Sequence, residues 1–93
     1  MSGNKLYSVE YLESVIKTDI PALSKSAKLL IKKAIEQRLM VDPIGFGKPL
    51  RYSLKGHRRL RVSVYRIVYR IDTANNRVII IAIQHRKNVY NLP

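Results

Sequence analysis

The sequence contains no cysteine and only six acidic residues among 93, and both scarcities limit what it can do. Without cysteine there is no disulfide staple, no thiolate nucleophile and no sulfur-ligated metal cluster, which agrees with a reducing, cytoplasmic setting. Long apolar runs are also missing. The longest aliphatic stretch is Val78 to Ile83, and the opening residues carry no apolar segment of the kind a secretory signal needs, so neither a signal peptide nor a membrane span is expected. No repeat, low-complexity tract or linker interrupts the chain, and its length leaves room for one core, so residues 1–93 read as a single domain. The familiar chemical signatures are missing too. There is no paired-carboxylate site, no glycine-rich phosphate loop with its lysine, no Ser-His-Asp order and no spacing of metal ligands. An enzyme built from this inventory works with cations, imidazole and phenol, and no cofactor or metal is expected.

What is present is positive charge. Eighteen Lys and Arg set a net charge of +12 and an isoelectric point near 10.4. Up to Gly47 there are seven basic and five acidic residues; from Lys48 onward there are eleven basic residues, eight of them arginine, against the single acid Asp72. The planar arginine fork matches phosphate better than the point charge of lysine does. A nucleic acid, a ribosome or an acidic protein chain is the natural partner for such a surface.

Residues 5–12 alternate, with Tyr7, Val9 and Tyr11 on one side and Ser8 and Glu10 on the other, and predict a first strand. Leu12, Val15, Ile16 and Ile20 follow helical spacing up to Pro21, which ends that helix. Ser24 is placed to cap a second helix whose apolar stripe runs through Ala27, Leu30, Ile31, Ala34, Ile35 and Leu39. The prolines and glycines of residues 42–50 then break the chain.

Residues 58–72 hold two alternating runs that change phase at Ser63-Val64. A tight hairpin turn there opposes Val62 to Tyr65, Arg61 to Arg66, Leu60 to Ile67 and Arg59 to Val68. One face of the ribbon then carries Leu60, Val62, Tyr65, Ile67, Tyr69 and Ile71. The other carries His57, Arg59, Arg61, Arg66 and Arg70, with Val68 among them. Val64 suits such a turn poorly, because a β-branched residue resists positive φ. A second turn at residues 74–76 leads into an apolar strand, residues 77–86, that reads as flanked on both sides. Strict alternation along it groups His85 with Ile79, Ile81 and Ile83 and turns Arg86 the other way. The order predicts an α+β domain, with an N-terminal strand and a two-helix hairpin packed on one face of a small, mainly antiparallel sheet.

Arginines facing one another across a sheet repel, so a face of four without acidic partners expects an anion from elsewhere. Tyr52, Tyr90 and Tyr69 offer rings for stacking on unpaired bases, although Tyr65 and Tyr69 fall on the apolar face and fit the core better. His57 and His85 are the side chains whose unperturbed pKa suits proton transfer near neutrality.

The segment of residues 54–71 followed by residues 78–90 resembles the RelE/ParE superfamily of bacterial toxins: a Leu-Lys-Gly segment, an Arg-Leu-Arg-Val strand, a Tyr-Arg-x-x-Tyr strand, and a last strand running into His85-Arg86 and Val89-Tyr90. The resemblance extends over nearly the whole chain and implies a RelE-like microbial ribonuclease-type fold. It implies the toxin of a type II toxin–antitoxin system, a ribosome-dependent mRNA endonuclease that cuts in the A site by attack of the ribose 2′-hydroxyl, with contacts to rRNA. It also implies a cognate acidic antitoxin, and operator DNA reached only through the antitoxin complex. By position, Arg66 matches the arginine that stabilises the transition state, Arg86 a second active-site arginine, and Tyr90 the tyrosine that orients the substrate base. Arg59 and Arg61 lie on the strand that supplies further cations, in some members lysines acting as base. Arginine does not release its proton readily, so His85 is the better acid or base and His57 the weaker; Arg70 and Lys87 complete the RNA-binding set. Ser63-Val64 departs from the Gly-Asp turn usual in the superfamily. The ParE branch inhibits DNA gyrase instead and generally lacks the His-Arg-x-x-Val-Tyr ending, so a gyrase inhibitor, or an inactive relative that only binds its antitoxin, is the alternative.

Overall fold

A computed structural model describes residues 6–51 and 56–87. The expectations for Tyr52 and Tyr90 lie outside the described residues. Five strands, β1 (Ser8–Tyr11), β2 (Lys48–Pro49), β3 (Arg58–Val62), β4 (Tyr65–Asp72) and β5 (Arg77–His85), form one sheet in the order β1-β5-β4-β3-β2. All pairings are antiparallel except β1 with β5, which is parallel. The helices carry the chain from β1 at one edge to β2 at the other, and the antiparallel run β2-β3-β4-β5 then returns across the sheet to lie beside β1.

The helices differ in length from the expectation. The first is a short segment, Val15–Asp19, wound wide enough that the N–H of Ile20 donates to the carbonyl of Val15. The second, α1 (Lys25–Ala34), starts where Ser24 accepts from the N–H of Ala27. It runs on through a second wide turn, Ile35–Leu39. Ala27, Ile31, Ala34, Ile35 and Leu39 are buried, but Leu30 is 41% exposed. A stripe advancing four residues at a time from Ala27 leaves Leu30 on its flank. A one-turn helix, α2 (Pro43–Phe46), follows, capped by Asp42 accepting from the N–H of Gly45. No described helix is long and apolar enough to cross a membrane.

The β3–β4 register is the one the alternation predicts, from Val62 opposite Tyr65 to Arg59 opposite Val68. The turn solves its steric problem at Ser63, which takes a φ of 55°, while Val64 stays outside the left-handed region. Positive φ at the first central residue alone is the signature of a type II′ hairpin turn. The apolar face so produced meets the helices in one core. Leu60, Val62, Ile67 and Tyr69 join Val15, Ile31, Ala34, Ile35 and Leu39, with Val78, Ile80 and Ile83 from β5.

The sequence did not reveal a bulge in β5. Val68 faces Ala82 and Tyr69 faces Ile80, so Ile81 is an extra residue. A bulge resets the alternation of its strand. Val78 and Ile80 are buried below it and Ile83 above it, and His85 follows Ile83 on the same face.

A clamp at the sheet edge fixes α2. The fully buried Tyr69 donates its hydroxyl to the Pro43 carbonyl at 2.6 Å, and Arg58 Nη2 donates to the carbonyls of Ile44 at 2.7 Å and Gly47 at 2.9 Å. Burial, first, pushes the Tyr69 phenol up from its ordinary pKa, and the bond to Arg58 works against it. Gly47 lies so close that a Cβ there would collide with the Tyr69 hydroxyl.

Two stability measurements follow. Gly47→Ala, forcing a methyl into the Tyr69 hydroxyl, is expected to cost about 1–3 kcal/mol in urea unfolding; an unchanged midpoint would contradict the close approach. Ser63→Gly removes left-handed strain but adds chain entropy to the unfolded state, so a net gain of up to about 1 kcal/mol is expected. A loss on the same assay would contradict the turn geometry.

Candidate nucleic-acid interface

On the face of the sheet away from the core, strand pairing arranges side chains in rows. Lys48, Arg59, Val68 and Ala82 form one row, and Arg61, Arg66 and Gln84 the next. Partners directly across a sheet have Cβ atoms about 4.5–5.5 Å apart, so Arg59, Arg61 and Arg66 make one compact cationic cluster. None of them takes part in an ion pair among the described residues. The three ion pairs found there are Lys17–Glu13, Arg77–Glu10 and Arg77–Asp72. The last two lie at the opposite end of this face, where Arg77 binds both oxygens of Glu10 at 2.9 Å and Asp72 at 2.9 Å. A hydrogen bond from the Asn75 side chain, and after it the one from Arg77, hold the Asp72 carboxyl below its ordinary pKa.

Arg66 is central to the cluster. Burial, then the charges of Arg59 and Arg61, lower its guanidinium pKa from the ordinary value. Its Nε is buried without a hydrogen-bond partner. A cation partly removed from water beside two like charges is stabilised by an anion supplied from outside. At the sheet edge, Arg38, Phe46, Lys48, Arg59 and Arg61 line a groove of about 300 Å³ that extends the cationic surface.

The remaining predicted residues do not share one location. Arg86 donates its backbone N–H to Val64 at 2.6 Å, which carries the exposed Arg86 and Lys87 to the same end of the sheet as Arg61 and Arg66. Arg70 is exposed four residues along β4 from Arg66, about 13 Å away at strand rise, and stands apart from the cluster. His57 immediately precedes β3 and is half-buried. His85 stands on the other face. The bulge at Ile81 turns it to the helix side, where its ring meets Tyr65 edge-on at 5.4 Å between centroids. It lines a groove of about 380 Å³ with Thr18, Asp19, Leu23 and Tyr65. Its Nδ1 accepts from the Lys87 N–H at 3.1 Å, so in the neutral ring the proton belongs to Nε2. The sheet therefore separates His85 from Arg66. Sequence reasoning passed over Gln84, Lys48 and Arg38. For Lys48 the signal was its place after the helix-breaking glycines, but the pairing with Arg59 is visible only in the sheet.

Arg61 and Arg66 repel across the ladder, so Arg61→Gln is expected to raise thermal stability in low salt by about 0.2–1 kcal/mol. The gain should shrink near 1 M salt, where the Debye length is about 3 Å. Melting curves at the two ionic strengths check this, and a loss of stability in low salt would contradict it.

Comparison with known proteins accords with this geometry. Residues 10–90 match the family model described as the ParE toxin of the type II toxin–antitoxin system, parDE. Toxin RelG of Mycobacterium tuberculosis is 41% identical over 49 residues, 53% of this chain and 56% of that protein. Such matches span about half the length of the curated relatives. The crystal structure of the RelBE2 toxin–antitoxin complex from M. tuberculosis superposes with a TM-score of 0.83 at 28% identity, covering 92% of this chain and 98% of that one. The isolated RelE toxin of E. coli shares the fold, with a TM-score of 0.70 at 21% identity over 91% and 92% of the two chains. With the family model spanning nearly all of the sequence and the RelBE2 structure superposing over nearly the whole chain, this chain belongs to the ParE toxin family of type II toxin–antitoxin systems, within the RelE/ParE superfamily.

Proposed function

We propose that this toxin is an endoribonuclease that cuts mRNA on the ribosome and so arrests translation. The observation that carries the reading is the cluster of Arg59, Arg61 and Arg66 on an open sheet face, its positive charges unmatched by any carboxylate among the described residues. The chemistry it supports is internal transesterification. The ribose 2′-oxygen forms a bond to phosphorus and the bond from phosphorus to the 5′-oxygen breaks. The 2′ proton leaves to a base, and the departing 5′-oxygen gains a proton. No co-reactant is needed, because the nucleophile belongs to the substrate.

In this reading Arg66 faces the non-bridging phosphate oxygens as they gain charge, and Arg59 and Arg61 raise the local potential that draws the backbone in. Arg86 enters from the strand end beside them, and Tyr90 supplies the stacking ring. Arg70 and Lys87 widen the track for RNA and rRNA. Neither Arg59 nor Arg61 is assigned the role of base, for which an arginine side chain is ill suited. His85 would serve only a substrate that wraps the end of β5, since its ring faces the helix side. A cytoplasmic location follows from the ribosomal target.

The proposed partner is a cognate acidic antitoxin. A groove of about 220 Å³, almost wholly apolar, runs between α1 and the sheet. Tyr11, Ile20, Leu23, Ile31, Ile35 and Ile83 line it, with Lys28 and Lys32 beside them. Apolar walls flanked by lysines suit an amphipathic segment bearing acids. Neutralisation by that chain would also explain how a surface with net charge +12 is kept quiet. The match to the ParE toxin model keeps open the second reading that the resemblance to the ParE branch implies, inhibition of DNA gyrase, in which the cationic face binds a macromolecule without cutting RNA.

Primer extension on translated mRNA, with purified toxin and ribosomes, separates the two. Cuts within A-site codons are expected, and Arg66→Ala is expected to slow single-turnover cleavage by about 10²–10³-fold, the usual loss of one transition-state donor. Intact mRNA alongside inhibited supercoiling by gyrase would support the second reading, and Arg66→Ala cutting at the wild-type rate would exclude the assigned role.

A further inference from the structure

Among the described residues, four side-chain atoms are buried without a hydrogen-bond partner: Arg58 Nε, Arg77 Nε, Arg66 Nε and Gln84 Oε1. The first two belong to guanidinium groups already held elsewhere, Arg58 by the Ile44 and Gly47 carbonyls and Arg77 by Glu10 and Asp72. The other two differ. Arg66 and Gln84 are direct partners across the β4–β5 ladder, on the face away from the core, and neither side chain makes a hydrogen bond to another described residue.

A buried amide oxygen without a donor costs stability, and buried polar groups are nearly always paired. Here a donor group and an acceptor group stand side by side without pairing with each other. Their Cβ atoms stand about 4.5–5.5 Å apart as direct cross-strand partners, so the arrangement is filled by a molecule that presents an anion to Arg66 and, beside it, a hydrogen-bond donor to Gln84. A ribonucleotide does this over the shortest span available to it, because its 2′-hydroxyl sits on the carbon next to the one bearing the 3′-phosphate. An exocyclic base amine lies much farther from the phosphate.

We propose that Gln84 is a substrate contact, its Oε1 accepting a hydrogen bond from the 2′-hydroxyl of the nucleotide whose 3′-phosphate lies on Arg66. It thereby orients the attacking oxygen and distinguishes RNA from DNA at that nucleotide. The assignment rests on the ribonuclease reading above. Gln84 takes no proton and forms no bond to phosphorus. Its effect is positional, so it bears on kcat and on 2′-discrimination more than on KM, which the arginine cluster dominates.

The test uses Gln84→Met, which keeps length and removes the acceptor, and Gln84→Asn, which keeps the amide one methylene shorter. Ribosomes are programmed with mRNA carrying, at the scissile nucleotide, either a 2′-amino group, an uncleaved donor, or 2′-deoxyribose. The wild-type toxin is expected to bind the 2′-amino form about fivefold more tightly, the worth of one ordinary hydrogen bond. Gln84→Met is expected to bind both forms equally and to lower kcat on natural mRNA about tenfold while raising KM by no more than about fivefold, and Gln84→Asn to recover part of the discrimination. If the wild type cuts mRNA and Gln84→Met cuts as fast or still prefers the 2′-amino form, the Gln84 assignment is overturned while the nuclease reading stands. If the wild type cuts nothing, the nuclease reading falls and this assignment with it.

Discussion

The pairing register of β3 with β4 is the constraint on which the rest of the molecule depends. Side chains alternate along a strand, so shifting this hairpin by one residue would send Leu60 and Val62 to water and Arg59 and Arg61 into the core. Ser63 holds the register by accepting the left-handed conformation that lets Val64 avoid it. Burial of Ile67 and Tyr69 against the helices enforces it from the other side. One turn thus decides both where the core lies and where the positive charge gathers.

That charge gathers on one face, the one turned away from the core. The acids of the sheet, Glu10 and Asp72, are drawn to Arg77 at the far end of the same face. This leaves Arg59, Arg61 and Arg66 uncompensated where Gln84 joins them and where the chain at Arg86 passes beside the turn. Mutual repulsion lowers the stability of the free protein and raises its affinity for an anion, two consequences of the same electrostatic energy. The clamp of Tyr69 and Arg58 on α2 has the opposite character, since every bond in it closes within the chain. It holds β2 and Lys48 beside Arg59 and so completes the cationic edge.

Much of this was legible in the sequence. The Ser24 cap, the buried positions of α1, the hairpin register and the division of an apolar face from an arginine face all follow from local periodicity, which a chain states openly. Leu30 was misjudged because a stripe drawn from spacing alone is wider than the one the sheet covers. The grouping of His85 with Ile79 and Ile81 fails for a different reason. A single extra residue at Ile81, invisible in an unbroken apolar run, reversed the phase of the last strand.

By itself the sequence determined the elements, the core side of the hairpin and the excess of cations, because alternation and charge are properties of neighbours in the chain. The tertiary structure decided which cations stand together, that Arg70 does not join them, that His85 turns to the helices, and that Gln84 meets Arg66. Those outcomes depend on strand order, on the parallel docking of β1 and on one bulge, all fixed by packing between residues distant in the chain.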